Sequence, residues 1–469
     1  MTLRLVVAAT LASLLSACHT APPRSRASAG KSAALALERG LALQAPTGDR
    51  TVDKLLAQMQ ERVGRDPDKL DAWIRLAHLW IRKARETADP GYYQNAEACA
   101  AIALQLSPDS ALALDVRGLV LLNDHRFAEA RDLAQQILAK RPDDVTALGT
   151  LSDALLELGR YDEAAQATQK MVSLKPNLPS YSRSSYLLWL RGDVTGAELV
   201  ARHAIDSAGD AETRAWVLVQ AATYFWHEGD ADGAEAGYDA ALAAFPGFPP
   251  ALVGKGRVAL GHDRAAVAAS LFERAYQQSP LVETAWLLGD ARARAGDTSG
   301  AQAAYELVMK TGSADPRTLA FFLASKDRDH ARAAQLAADE RAVRDDLYTE
   351  DVYAWALYRA GRLDEAGAAI ARALAFGTRD ARLLYHAGAI ELSLGRDAEG
   401  ATHLRAALAL NPRFDAAGAA DAKRLLGQLR EQATAQVPVA APLALLQAPR
   451  HSKSDAQLAP AAAGVMHLP

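Results

Sequence analysis

Cysteine occurs only at Cys18 and Cys99 in 469 residues, too few for a disulfide framework or a four-ligand zinc site. Aromatic residues make up 6% of the chain. The 50% hydrophobic share is swollen by alanine, which favours helix, and the valine, isoleucine and threonine richness that strands want is missing. An all-β fold is therefore excluded. Neither sign of charge dominates. The 52 basic and 56 acidic residues leave a formal charge of -4 and a pI of about 6.3, so no global basic field exists to hold nucleic acid. The apolar run Leu5 to Leu15 spans about 16 Å as a helix, against a hydrocarbon core of roughly 30 Å, and is too short to cross a membrane.

What the chain does have is a period. Pro108, Pro142 and Pro176 are 34 residues apart, as are Pro246 and Pro280, and Pro412 closes the series. Ala130 and Ala164, Ala234 and Ala268, and Ala366 and Gly400 keep the same spacing. Val145 to Pro176 shows what the period encodes. Leu148, Leu151, Ser152 and Leu155 recur at three- and four-residue steps and form one stripe of a helix. Gly159 ends that helix, Asp162 and Glu163 sit at the positive start of a second, and Pro176 stops it. Ser152 and Ala164 are small enough to let the two helices approach. The unit is a helix hairpin.

The turn Gly159-Arg160-Tyr161-Asp162-Glu163-Ala164 and the closing prolines resemble the tetratricopeptide repeat family. Weaker copies are His125-Arg126-Phe127-Ala128-Glu129-Ala130 and Gly361-Arg362-Leu363-Asp364-Glu365-Ala366, and looser ones begin at Gly192, Gly229, Gly296 and Gly395. The resemblance implies an all-α, right-handed superhelical solenoid with a concave inner face, of about nine or ten repeats between Leu70 and Pro412. Two departures stand out: Arg82 to Tyr93 reads as a connection longer than the family uses, and Asp315 to Arg344 is degenerate. The solenoid is assigned to residues 51–430, with Gly418 to Leu429 as capping helix. Residues 431–469, rich in proline and alanine, read as a disordered tail. No room remains for a catalytic domain.

The amino terminus carries an address. Met1 to Arg4 is basic, Leu5 to Leu15 is apolar, and Leu15-Ser16-Ala17-Cys18 closes the segment. It resembles a bacterial lipoprotein signal. That resemblance implies a signal peptide over residues 1–17, lipid attachment at Cys18, and, because His19 follows, the periplasm-facing side of the outer membrane. Residues 18–50 read as a disordered tether and a lead-in helix.

A search for chemistry finds little. The eleven histidines are scattered singly, and His227-Glu228 lacks the second histidine of a zinc-hydrolase helix. Gly254-Lys255-Gly256-Arg257 has neither the strand nor the spacing of a phosphate loop. Ser28-Ala29-Gly30-Lys31 lacks the scaffold and partner motifs of a serine-lysine nucleophile. Cys99, among Ala96, Ala100 and Ala103, reads as a small packed thiol. Neither an enzyme, a metal nor a cofactor is expected.

In the family, set positions of each first helix face the groove. Counting back from the alanine that opens each second helix places Arg183, Tyr186, Trp189, Trp216, Trp226, Arg257, Asp290, Asp351, Trp355, Tyr358 and Tyr385 there, with Tyr348, while Trp73 and Trp80 fall in the core. In repeats spaced by 33 or 37 the register shifts, and Trp189 and Trp286 move between groove and core. Aromatics with arginine suit a protein or peptide anchor and also suit stacking on sugars. The paired lysine and asparagine set that holds a terminal carboxylate in chaperone-binding relatives is missing. The resulting expectation is a lipid-tethered scaffold for protein partners of an envelope assembly; the alternative is a carbohydrate- or exopolysaccharide-binding module.

Overall fold

The computed structural model describes residues 35–87 and 89–435. Cys18, expected to carry lipid, the expected signal segment over residues 1–17 and the Pro/Ala-rich stretch beyond 435 lie outside these residues. The protein is an all-helical solenoid. After a helix over 35–42 and another at Thr51–Arg65, ten hairpins follow in sequence, from Leu70–Thr87 paired with Tyr92–Leu106 to Ala381–Ser393 paired with Asp397–Leu410. One compact unit ends at Leu426; the helix Ala416–Ala435 carries residues of it and of a second unit that begins at Gly427. No helix among the described residues is long and apolar enough to cross a membrane.

The third hairpin shows how such a pair is built. Asp144 caps Val145–Glu157 by accepting the Ala147 N–H at 3.1 Å. Gly159 turns the chain at φ 69°, and Tyr161–Leu174 runs back. Ala164 is fully buried at the crossing, and the Ser152 hydroxyl lies 2.6 Å from Thr168 Oγ1 and 3.2 Å from the Ala164 carbonyl. Small residues at the crossing let backbones approach while the hydroxyls satisfy one another. Where the glycine is missing, His125, Asp263, Asp327 and Asp329 take the turn with positive φ, the conformation that asparagine-like and histidine side chains tolerate best. The degenerate stretch is thereby an ordinary pair: Pro316–Ser325, shortened to ten residues, against His330–Val343.

The first hairpin corrects one expectation. Arg82 to Tyr93 is not a long connection; the first helix runs on to Thr87 and the next starts at Tyr92. Lys83 looks like a solvent residue but is buried and paired with buried Asp53, and its ammonium donates to the Thr47 carbonyl at 2.8 Å. Trp73 and Trp80 lie in this core at 1% and 0% exposure, and Cys99 is buried beside them as a free thiol. Burial pushes that thiol well above its ordinary range, which keeps it protonated and inert.

Successive turns of the solenoid meet along a seam. The Asp345 N–H donates to the Glu157 carbonyl at 3.0 Å, Thr378 Oγ1 to the Leu190 carbonyl at 2.5 Å, and Asn411 Nδ2 to the Trp226 carbonyl at 2.6 Å. These donors recur at the loops before the ninth hairpin, the tenth and the last helix, and the acceptors end the first helices of the third, fourth and fifth. Around this ladder Tyr161 stacks on Phe376 with centroids 4.2 Å apart, and Arg379 grips Glu228 with two bonds of 2.9 Å. At Gly159 the approach is so close that a Cβ would sit 2.4 Å from the Asp345 carbonyl oxygen.

Candidate binding cavity

The first helices of six consecutive hairpins, from Ala211–His227 to Ala381–Ser393, surround a cavity of about 480 Å³. A side chain reaches it because its helix turns that face inward. Glu283, Arg317, Tyr348 and Arg382 are each the second residue of their helix, and each lines the cavity. Trp226, Trp286, Phe321 and Phe414 supply its aromatic wall. The volume falls in the range of small-ligand and side-chain pockets.

Charge in the wall is dense and mixed. Arg257 pairs with Glu283 at 2.6 Å, and Asp290 receives Lys326 at 2.5 Å and the Tyr305 hydroxyl at 2.6 Å. Arg257, reinforced by Arg382 and Arg317, holds the Glu283 carboxyl below its ordinary range. Burial raises Asp290, and Lys326 opposes that rise. His227 Nδ1 lies 3.4 Å from Asp380 Oδ2, and its ring is 4.8 Å from that of Trp189. Burial lowers the His227 pKa below 6.5 in spite of Asp380. A lowered folded pKa means the unfolded chain binds the proton more readily, so the stability His227 contributes is complete above pH 6.5 and is lost as pH falls through its folded value. An NMR titration of the His227 ring is expected to give a midpoint below 6.5, with Trp189 fluorescence following the same curve; a midpoint at or above 6.5 would contradict the burial account.

Of the residues expected in the groove, Trp226, Arg257 and Asp290 line the cavity, as does Tyr348. Trp189, Trp355 and Tyr385 are packed at 3%, 4% and 7% exposure. Trp189 stacks on Tyr224 and Trp355 on His386, with centroids 5.6 and 4.1 Å apart, so these ring faces are occupied. Asp351 is fully buried 2.7 Å from His386 Nδ1, and the Tyr385 hydroxyl meets Asp421 at 3.1 Å. Tyr186 and Tyr358 are half-buried against Trp189 and Trp355. Arg183 makes a two-pronged pair with Asp153 at 2.7 and 2.6 Å. Trp216 is on the surface, 47% exposed, away from the cavity lining.

His227, Glu283, Arg317, Asp380 and Arg382 also line the cavity without having been singled out for the groove, and Trp286, whose register was open between groove and core, lines it too. For Glu283, Arg317, Asp380 and Arg382 the signal was their place at the start of a first helix, which the shortened Pro316–Ser325 helix hides for Arg317; His227 ends its helix and Trp286 stands within one. Among the described residues no group of three or more His, Cys, Asp and Glu is placed to hold a metal ion.

Residues 116–179 and 219–283 match the family model described as tetratricopeptide repeat. No curated protein sequence matches the chain. Among solved structures, the chain is similar to the hetero-tetramer Cut9-Hcn1 at 16% identity, covering 84% of this chain and 96% of that one with a TM-score of 0.36. It is similar to human IFIT1 bound to PPP-AAAA at 14% identity, covering 80% and 94% with a TM-score of 0.44. PilW, a type IV pilus biogenesis factor, matches at 17% identity over 43% of this chain and 91% of its own, with a TM-score of 0.36. Helical repeats of the tetratricopeptide kind, stacked into a solenoid, are thus the class that the hairpins and the two matched stretches define.

Proposed function

We propose that this chain is a non-catalytic scaffold that takes a segment of a protein partner into the cavity of its solenoid, and that it is held at the periplasmic face of a bacterial outer membrane by lipid on Cys18. The observation that carries the partner reading is the cavity itself: a preformed wall of aromatic and arginine side chains drawn from six successive repeats. Such walls provide desolvated anchor pockets, and distributed contacts along a solenoid suit an extended segment. The tether reading is supported by the Leu15-Ser16-Ala17-Cys18 sequence. Sugar stacking draws less support, since Trp189 and Trp355 spend their ring faces on neighbouring rings.

The test is co-purification from detergent-solubilised envelopes with mass-spectrometric identification. The native chain is expected to bring down a reproducible set of envelope proteins. Arg257→Glu, which reverses charge in the cavity wall, is expected to lose that set while keeping its helical circular dichroism; Cys18→Ser is expected to move the protein out of the membrane fraction. Enrichment of polysaccharide without protein would overturn the scaffold reading, and unchanged membrane partition of Cys18→Ser would overturn the tether.

A further inference from the structure

Hydrogen bonding in the cavity wall is lopsided. Its carboxylates all have donors within the chain. Glu283 takes Arg257, Asp290 takes Lys326 and Tyr305, and Asp315, Asp380 and Asp415 accept backbone N–H groups at the starts of helices, from Thr318 at 3.0 Å, Arg382 at 2.8 Å and Gly418 at 2.6 Å. Two of the three arginines, Arg317 and Arg382, are poorly supplied. Arg317 reaches the Asp346 carboxylate and Thr349 Oγ1 only at 3.4 and 3.5 Å. Arg382 makes no side-chain hydrogen bond; its buried Nε forms only a loose ion pair, 3.7 Å from Asp351 Oδ2, which is likewise without a hydrogen bond. A guanidinium offers five N–H donors, and leaving them unmade in a shielded place is costly. Arg317 and Arg382 thus keep N–H donors that no short hydrogen bond within the chain uses.

The two arginines share a setting. Arg317 and Phe321 are one turn apart on Pro316–Ser325, on the same helix face. The Arg382 guanidinium lies 4.9 Å from the Phe321 ring centre and 5.9 Å from that of Tyr348. A guanidinium stacked on a ring keeps its N–H edge open for a two-pronged bond to a carboxylate. Arg257 first, and behind it Arg382 and Arg317, hold the Glu283 carboxyl below its ordinary range.

We propose that Arg317 and Arg382, beside Phe321, bind an aspartate or glutamate side chain of the partner segment, with an apolar neighbour of that residue packing on Trp286 and Phe414. This rests on the reading of the cavity as a partner site and names the chemistry of the segment: acidic residues next to an apolar or aromatic one. It differs from terminal-carboxylate capture, for which the lysine and asparagine set is missing, because the acceptor is an internal side chain.

The test uses the full chain and a fluorescein-labelled peptide in which glutamates flank one phenylalanine, with its glutamine counterpart and inorganic phosphate as controls. Fluorescence anisotropy is expected to show saturable binding of the glutamate peptide, roughly ten-fold or more weaker binding of the glutamine peptide, and a similar loss in Arg382→Gln and Arg317→Gln. Equal binding of both peptides, or no saturable binding of the acidic one, overturns the proposal on the native chain alone. Displacement of the acidic peptide by phosphate at equal concentration also overturns it, in favour of a site for free oxyanions. If the envelope proteins still co-purify with Arg317→Gln and Arg382→Gln, the acidic-segment inference fails and the scaffold reading stands. If the acidic peptide binds but no envelope protein enriches, the scaffold reading fails instead.

Discussion

Gly159→Ala is expected to destabilise the protein by about 2–5 kcal/mol, whereas Gly361→Ala costs only about 1–2 kcal/mol. Both glycines end a first helix at positive φ, 69° and 77°, so both substitutions carry the same left-handed penalty. The difference is the seam. A Cβ on Gly159 would meet the Asp345 carbonyl at 2.4 Å, while nothing lies within 4 Å of one on Gly361. A backbone carbonyl cannot swing away as a side chain can, so the ninth hairpin would have to shift and the Asp345 to Glu157 bond would break. Urea unfolding followed by circular dichroism measures the two losses, and hydrogen exchange at the Asp345 amide localises the first. Equal losses for the two variants would show that the seam contributes nothing.

Asp53→Ala is expected to cost about 3–5 kcal/mol, the usual penalty for stranding a buried charge. Lys83 and Asp53 are 1% and 4% exposed, and without the carboxylate the ammonium keeps the Thr47 carbonyl and the face of the Tyr92 ring but no counter-charge. The double variant Asp53→Leu/Lys83→Met is expected to be within about 1 kcal/mol of the native chain, because apolar residues of similar volume remove the desolvation cost with the attraction. The comparison is read from denaturant midpoints of the three proteins. A single variant no less stable than the double one would mean that Lys83 finds water or another acceptor once Asp53 is gone.

Much of this architecture is legible in the residues because it is local. The prolines that follow most second helices, the small residues at the crossings and the glycines at most turns act within one hairpin, so their period can be read without coordinates. Lys83 misleads for a physical reason. Its charge marks it as solvent-facing, and only Asp53, thirty residues earlier, makes its burial possible. The turns at Asp263 and Asp327 conceal themselves because side chains other than glycine occupy the left-handed conformation there, whereas His125 is legible from the residues that follow it. The cavity is half legible: Trp226, Arg257 and Asp290 follow from repeat position, and Arg317 does not, since the short Pro316–Ser325 helix breaks the count; Arg382 holds the same second place in a full-length helix as Tyr348 does, so the signal was present there. Trp189 and Trp355 carry the same composition signal as anchor residues, yet nothing in a linear sequence says that Tyr224 and His386 will cover them.

The ladder from Asp345, Thr378 and Asn411 changes how this chain folds. Hairpins form from neighbours and need little loop closure, but the Asn411 and Thr378 bonds join residues 185 and 188 apart in sequence. Contact order is therefore split, low inside each hairpin and very high across the ladder, and closing so long a loop carries an entropic cost that local contacts do not. The hairpins accordingly assemble first and the ladder last, and acceptors such as the Trp226 carbonyl gain their partners only when the polypeptide is complete to Asn411.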